Sequence, residues 1–244
     1  MTMTSRIGAP GATETTEFTE TTGKVRMVLR GAVQPLGHTT SAIDKQPVHA
    51  PVAVHADGLE GDAQADRRVH GGVDKAVHCY AWRHYADWRK ELPDCALLQA
   101  HGAFGENLAI DGLDEATVCI GDRWRIGSAV FTITQGRQPC YKLNLRFGLR
   151  DMAARVQQSL RAGWYLRVDT PGVLAAGDPV ELLARPHPDH SIAALLAMIR
   201  DRDTDAARLT RVLALPLPPS WRRLFQRRLD TQKIEDWSAR LQGG

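Results

Sequence analysis

Cysteine is scarce in this chain, and its few cysteines lie far apart. The 244 residues include four, and no two of them form a CxxC pair. A zinc knuckle or a small disulfide scaffold needs closely spaced cysteines, so the sequence favours neither. We expect all four to be reduced thiols: Cys79, Cys95, Cys119 and Cys140.

Long apolar runs are also missing. No stretch approaches the roughly 18 consecutive apolar residues that a membrane-spanning helix needs. The first residues, MTMTSRIGAPGATETTEFTETTG, lack the apolar centre of a signal peptide, and their glutamates argue against a transit peptide. These features predict a cytoplasmic protein that makes no contact with a membrane.

A strong charge of either sign is absent as well. The net charge is +3, and no basic stripe is interleaved with aromatic residues, so nucleic acid is not an expected partner. The glycines form no GxGxxG motif between a strand and a helix, so there is no flavin or dinucleotide fingerprint. With 43% hydrophobic and 24% charged residues, the chain suits one large domain or a domain with an appendage.

Composition divides the chain into three parts. Residues 1–22 are rich in Thr, Gly and Glu and are predicted to be a disordered tail. A strand-rich domain is predicted over residues 23–186, beginning with the alternating segment 24–30. Residues 190–244 carry short helical patterns between Pro, Asp and Thr caps, which predict a small helical domain. Its arginine cluster is interpreted as a solvated helix face, with a contact to an acidic partner as the alternative: Arg222, Arg223, Arg227 and Arg228.

Within the central part, short strands and frequent turn signals predict a β-barrel or a sandwich with some helices, a mainly β fold of the α+β class. Helical spacing of aromatic residues predicts a helix over 81–92, and a second helix is predicted over 149–161. Strands are predicted over 115–125 and 126–135 as a hairpin, and as a further pair between 163 and 186.

Cys140 lies at the end of a predicted strand. Residues 129–134 alternate in the manner of a half-buried strand, and Pro139 then interrupts it. Arg137 and Lys142 flank the cysteine, and cationic neighbours lower a thiol's pKa and favour the reactive thiolate. Local sequence leaves a second interpretation open, an inert cysteine buried at a strand-to-loop corner.

A glycine-rich polar loop precedes the apolar run 76–80. Gly71 and Gly72 allow positive φ angles, so their N–H groups could cradle an oxyanion. The alternative is a solvated turn. The charged and polar residues crowded into this loop are Asp62, Asp66, Arg67, Arg68, His70, Asp74 and Lys75.

Glu106 and Asn107 lie between two glycines and the end of an apolar strand. A carboxylate and an amide at this position either orient a ligand or cap a turn, and the local sequence does not separate the two.

Four ordered motifs resemble the MOSC domain, the C-terminal domain of molybdenum-cofactor sulfurase. They are GDAQADRRVHGGVDKAVHCY, GAFGENL, GDRWRIG and QGRQPCYKL. The resemblance covers residues 45–183 and is closest to the bacterial YiiM-like branch, whose C-terminal three-helix domain the last helices also resemble. One departure is Gly136, where members of the family often carry proline, and this change is expected to alter loop stiffness more than chemistry.

The resemblance implies a MOSC-type barrel that binds the molybdenum cofactor and reduces N-hydroxylated compounds, such as hydroxylaminopurine-like base analogues and hydroxylamines. Cys140 falls on the family's cysteine and is the implied molybdenum ligand, which agrees with the affinity of soft thiolates for such metals. His70 is the expected proton donor. The residues implied to bind the cofactor phosphate or oxo groups are Arg67, His70, Gly71, Gly72, Lys75 and Arg137. The residues implied to shape the pocket or bond the pterin ring are Asp62, Asp66, Glu106 and Asn107.

Electrons would come from a separate reductase, since no flavin or dinucleotide motif is present. The resemblance also raises pyridoxal phosphate as a second phosphate-bearing ligand, and a homodimer as the assembly. Two other functions stay open: a sulfur carrier that uses a Cys140 persulfide, and a non-catalytic module that binds an anion or a pterin. A hydrolytic zinc site is disfavoured because no ligand pairs have zinc-site spacing.

Overall fold

A closed barrel of seven strands forms the body of the protein. A computed structural model describes residues 20–63 and 72–243. The strands in these residues are, in chain order, β1 (Glu20–Arg30), β2 (Gln34–Leu36), β3 (Thr39–Ser41), β4 (Gln46–Val48), β5 (Val52–His55), β6 (Gly58–Leu59), β7 (Val77–Ala81), β8 (Leu108–Asp111), β9 (Arg123–Ile126), β10 (Ala129–Gly136), β11 (Trp164–Thr170), β12 (Gly172–Leu174) and β13 (Pro179–Ala184).

The barrel strands follow the order β13, β9, β10, β11, β7, β8 and β1, and β1 pairs again with β13 to close the ring. Only the β7–β8 pair among these neighbours is parallel. The fourth strand, β4, extends the sheet from β1, while β5, β6 and β12 form a small separate sheet and β2 and β3 a hairpin. The predicted barrel is therefore confirmed, and the sandwich alternative is excluded.

Seven helices in the described residues accompany the barrel, and the last four form the C-terminal region. Within the described residues they are α1 (Arg83–Glu91), α2 (Lys142–Phe147), α3 (Met152–Ser159), α4 (Ile192–Arg200), α5 (Ala206–Leu213), α6 (Pro219–Thr231) and α7 (Ser238–Gln242). The helices predicted over 81–92 and 149–161 correspond to α1 and α3. The last helical pattern of the chain is shorter than predicted, since only α7 forms there.

Three expectations about the strands need correction. The first strand begins at Glu20, so the last three residues of the predicted tail belong to β1. Most of the strand predicted over 115–125 is a turn, because the Asp114 carboxylate accepts hydrogen bonds from the Ala116 and Thr117 N–H groups. The strands predicted as a pair near the end of the barrel, β11 and β13, pair with other strands instead.

The core fills the barrel interior with large aromatic residues. Trp88, Trp124 and Trp164 have no exposed surface, and the Tyr80 and Phe104 rings stack with their centroids 4.3 Å apart. Packing of this kind contributes most of the stability of a barrel. Helix α4 packs on the same core, and Gly136 makes that contact possible, since a Cβ atom there would lie 2.8 Å from the Leu196 side chain. The glycine that departs from the family pattern therefore has a packing role.

The arginine cluster of α6 divides into two kinds of residue. Arg222, Arg223 and Arg227 are exposed, as a solvated face requires. Arg228 is completely buried, which corrects the interpretation of the cluster. Its guanidinium donates to the Glu235 carboxylate at 2.6 Å and to the Met198 carbonyl at 2.7 Å, and these charge-assisted bonds offset the cost of burying it.

Candidate functional site

Cys140 lies in the short loop between β10 and α2. This loop, residues 137–141, is called the Cys140 loop below. The β10–β11 ladder runs to Gly136, and the Arg137 N–H still donates to the Gly163 carbonyl at 2.9 Å. The Cys140 carbonyl accepts a hydrogen bond from the Leu143 N–H at 2.9 Å as α2 begins. The cysteine is 8% exposed at the end of a barrel strand, where the sequence predicted it.

A pocket opens beside Cys140, and segments far apart in the chain contribute to it. Among the described residues its lining consists of Ser41, Ala42, Ile43, Lys45, Asp62, Ala63, Lys75, His78, Phe104, Gly105, Asn107, Arg137, Cys140, Lys142 and Tyr165. Four of these side chains are lysine or arginine and one is a carboxylate, so the described part of the pocket carries an excess of positive charge. Anionic ligands are therefore favoured there.

Lys45 and Asp62 form a buried ion pair in this lining. The ammonium group contacts both carboxylate oxygens, with Oδ2 at 2.6 Å, and both side chains are less than a tenth exposed. Burial lowers the pKa of Lys45, and the Asp62 carboxylate opposes that shift. Asp62 also accepts hydrogen bonds from the Gly31 N–H at 2.8 Å and the Asn107 Nδ2 at 2.9 Å. Asp62 thus faces the pocket as predicted, and it holds a lysine there.

Asn107 lines the pocket, while Glu106 is buried next to it. The Asn107 side chain accepts from the His78 N–H at 3.1 Å and donates to the Leu29 carbonyl at 3.2 Å, so it ties β7 to β1. Glu106 has no exposed surface and is not among the lining residues. Its carboxylate accepts from the Tyr85 hydroxyl at 2.6 Å and from the Gly102 N–H at 2.8 Å. Both side chains are engaged in hydrogen bonds within the protein, and their predicted role toward a ligand stays a prediction.

Arg137, His78 and Tyr165 form the wall next to the Cys140 loop. The His78 and Tyr165 rings lie 5.0 Å apart. Burial and the nearby Arg137 guanidinium lower the pKa of His78 to about 3, so its ring is neutral at pH 7. The buried Arg137 Nη1 finds no hydrogen-bond partner among the described residues. A buried guanidinium with an unused donor beside a pocket is suited to an anionic oxygen.

Lys75 and Lys142 contribute two further cations. Lys142 donates to the Thr40 carbonyl at 2.9 Å. Lys75 ends a 3₁₀ turn over Val73–Lys75, and Gly72 starts this turn with φ 95°, the positive angle expected for it. Burial and the Arg240 charge lower the pKa of Lys75, and the neighbouring Cys140 opposes the shift. Lys75 and Cys140 line the same pocket.

Four of the predicted site residues lie outside the described residues. They are Asp66, Arg67, His70 and Gly71. Their expected roles in holding a phosphate, and the expected role of His70 as proton donor, stay predictions.

Sequence reasoning missed several residues of the site, namely Lys45, His78, Tyr165 and Arg240. Lys45 lies 17 positions before Asp62, and no local motif joins them. Arg240 lies 101 positions after Pro139, whose carbonyl it contacts. His78 stood in the last part of the glycine-rich motif and could have been noticed, because it sits on an apolar strand two residues before Tyr80.

Two further kinds of feature are missing from the described residues. None of the helices in residues 20–63 and 72–243 has the length and hydrophobicity needed to cross a membrane. In the same residues, no three His, Cys, Asp or Glu side chains converge as ligands for a metal ion.

Comparison with known proteins places the chain in a family. Residues 66–181 match the MOSC domain model, and residues 191–232 match the model of the YiiM-like, 3-alpha helix domain. The protein YiiM of Escherichia coli strain K12 is 41% identical over 204 residues, which cover 83% of this chain and 91% of that protein. The chain therefore belongs to the MOSC-domain proteins. Within them it is a homologue of YiiM, with the YiiM-like helical region after the barrel.

A crystal structure and a fungal relative complete the comparison. The crystal structure of YiiM from Escherichia coli superposes with a TM-score of 0.77 at 34% identity, covering 90% of this chain and 99% of that chain. A protein of Gibberella moniliformis named "Reductase" is 40% identical over 182 residues, which cover 74% of this chain but 32% of the fungal protein. The family expected from the four motifs is thus confirmed.

Proposed function

We propose that the chain is an oxidoreductase that binds the molybdenum cofactor and reduces small N-hydroxylated compounds with electrons from a separate reductase. The observation that carries this proposal is a buried cysteine in a pocket whose described lining holds four cationic side chains and one carboxylate. A relative named as a reductase supports the class of activity.

The residues present fit this cofactor in ligand type and in charge. A cysteine thiolate is a soft ligand of the kind that such metals accept, and Cys140 would provide it. The cofactor's phosphate and oxo groups are anionic, and Arg137 has a buried donor without a described partner. Lys75 and Lys45 would add positive charge on either side. Bound in this pocket, the cofactor would supply the two-electron chemistry needed to break an N–O bond.

The chain's own residues would bind the cofactor, orient the substrate and supply the proton. Asp62 holds Lys45 in the lining, and Asn107 holds Asp62, so the cationic wall is fixed before any ligand binds. His78 is unsuited to donate a proton at pH 7, because a pKa of about 3 leaves its ring neutral. The proposed proton donor is therefore still His70, and Lys45 and Lys75, whose pKa values are lowered by burial, are the candidates among the described residues.

The proposal is tested first by cofactor content. Wild type and Cys140→Ser are expressed in a host that makes the cofactor, and molybdenum is measured by elemental analysis and pterin by fluorescence. We expect stoichiometric cofactor in the wild type, and a variant that has lost the metal or the ability to reduce hydroxylamines. A matched control is Cys95→Ser, since Cys95 lies outside the pocket lining.

Other outcomes would support the other functions. If wild type and Cys140→Ser both lack molybdenum and pterin from a competent host, the molybdenum proposal fails. A labile sulfane sulfur on wild type that is missing from Cys140→Ser would then indicate a sulfur carrier. Cofactor or anion binding that survives in Cys140→Ser, with no reduction of hydroxylamines by either protein, would indicate a binding module.

A further inference from the structure

The C-terminal helix α7 returns to the Cys140 loop. Arg240 donates from Nε to the Pro139 carbonyl at 3.0 Å and from Nη2 to the Gln138 carbonyl at 2.7 Å. The Tyr141 N–H in turn donates to the Arg240 carbonyl at 2.7 Å. One residue of the helical region therefore holds three consecutive peptide groups of the loop.

These contacts have a specific consequence for Cys140. The Pro139 carbonyl belongs to the peptide group before Cys140, and the Tyr141 N–H belongs to the peptide group after it. Fixing both planes fixes the two backbone dihedrals of the cysteine between them. The direction of its side chain depends on those dihedrals, so the orientation of the thiol depends on Arg240.

Arg240 is itself held in place. Its guanidinium lies over the Trp237 ring, 5.5 Å from the ring centroid. The next residue, Leu241, accepts a hydrogen bond from the Asn144 side chain at 2.7 Å, and Asn144 also accepts from the Ala153 N–H at 2.7 Å. Helix α7 is thereby joined to α2 and α3, the elements that follow the loop.

The charge of Arg240 also acts on the site. Burial lowers the pKa of Arg240, and a negative charge at Cys140 would oppose that shift. Arg137 lies on the same side and adds to the shift. A thiolate at Cys140 would have both guanidinium groups as neighbours.

We infer that Arg240 is a positioning residue for Cys140, and that the C-terminal helical region completes the site by orienting the cysteine toward the pocket. The inference rests on the proposed function for its catalytic consequence, while the orientation of the loop can be measured without it.

The first test is amide hydrogen exchange on the cofactor-free protein. Arg240→Ala should raise exchange of the Tyr141 amide, followed in peptides covering residues 138–142, by at least about tenfold, because the loop loses the two charge-assisted bonds that keep the Tyr141 N–H against the Arg240 carbonyl. Exchange in β7 and β11 should not change. The matched control is Arg223→Ala, which removes the same charge from an exposed position on α6. Arg240→Lys keeps the charge but can reach only one of the two carbonyls at a time, so it should recover part of the protection.

The second test uses protein loaded with cofactor. Arg240→Ala should lower kcat for a hydroxylamine by at least about tenfold per bound cofactor and change KM less than about twofold, since the metal ligand and not the substrate contact is disturbed. Unchanged loop exchange in Arg240→Ala, or kinetics equal to those of Arg223→Ala, would overturn the inference. If wild type takes up no cofactor, the proposed function fails, and hydrogen exchange alone still decides whether Arg240 holds the loop. Should Arg240→Ala fail to fold, Arg240→Lys provides the same comparison.

Discussion

At the scale of single residues, the buried His78 of the site makes the stability of the fold depend on pH. Its ring is buried beside Arg137, with Nδ1 3.2 Å from the Gly105 carbonyl. A carbonyl only accepts, so this contact assigns the ring proton to Nδ1 in the neutral tautomer. Because burial and Arg137 lower the pKa of His78 to about 3, the folded protein has to keep this ring neutral while the unfolded chain protonates it near its ordinary value.

The unfolding free energy is therefore expected to decrease as the pH falls below the ordinary pKa of histidine. In this range the unfolded state binds a proton at residue 78 and the folded state does not, which costs about 2 kcal/mol between pH 7 and pH 5. Urea unfolding at pH 7, 6 and 5 measures the trend in wild type and in His78→Gln. The two profiles should converge toward low pH. Parallel profiles would show that His78 does not contribute to the decrease in unfolding free energy at low pH.

Single residues also show what the sequence could and could not reveal. Cys140 and Asp62 were predicted because each lies in a local motif that the family shares. Lys45 and Arg240 were missed because their partners are distant in sequence: only the folded barrel brings Lys45 to Asp62 in the pocket, and only the returning helix brings Arg240 to the Cys140 loop. Glu106 was predicted either to orient a ligand or to cap a turn, because a carboxylate has the same local pattern in both roles; in the structure it accepts from the Gly102 and Phe104 N–H groups.

At the scale of elements, Arg228 joins the end of α4 to the end of α6. Its guanidinium donates to the Met198 and Ile199 carbonyls, which lie near the C-terminal end of α4, and to Glu235 beyond α6. Carbonyls at a helix end have no partner within the helix, so a buried guanidinium satisfies them. Hydrogen bonds to Arg228 are the main cause that lowers the pKa of Glu235 against the opposing effect of burial.

Replacing Arg228 with methionine should destabilise the protein by about 3 kcal/mol, because the partly buried Glu235 carboxylate loses its cationic partner and the Met198 and Ile199 carbonyls each lose one of their donors. Arg227→Ala is the matched control. It removes an exposed arginine from the neighbouring position and should change stability by less than about 0.5 kcal/mol. Denaturant unfolding monitored by circular dichroism gives both values. Equal unfolding free energies of Arg228→Met and Arg227→Ala would mean that Arg228 does not connect α4 to α6.

Strands and helices were predicted correctly where a periodic residue pattern was not opposed by side-chain hydrogen bonds to the backbone. The alternation over 24–30 and the aromatic spacing over 81–92 correspond to β1 and α1. It failed over 115–122, where Asp114 bonds to the backbone two and three residues later and a turn replaces the strand. The short helix α2 was also missed, since six residues with one turn and a half carry little periodicity.

At the scale of the whole molecule, the helical region is joined to the barrel at both of its ends. Near its start, the Ile192 N–H donates to the Val118 carbonyl at 2.9 Å, and Leu195 and Leu196 are buried in the same core as the barrel. Near its end, Arg240 and Leu241 bond to the Cys140 loop and to α2. Sequence showed a change from strands to helices after the barrel and so favoured an appendage. The attachment of both ends of the helical region depends on tertiary contacts, and no local sequence pattern indicates it.

A region held at both ends and sharing a core should unfold together with the barrel. We expect Leu209→Ala, a truncation of a fully buried side chain in α5, to lower the unfolding free energy by about 2 to 5 kcal/mol for the entire molecule.

The barrel is followed through Cys79, which has no exposed surface, by its alkylation under native conditions with peptide-resolved mass spectrometry. The helical region is followed by hydrogen exchange in α6. In Leu209→Ala the alkylation rate of Cys79 and the exchange rate of α6 should rise by the same factor, whereas Arg223→Ala should change neither rate. Faster exchange in α6 with unchanged alkylation of Cys79 would show that the helical region opens by itself, and the barrel would then hold the Cys140 loop without it.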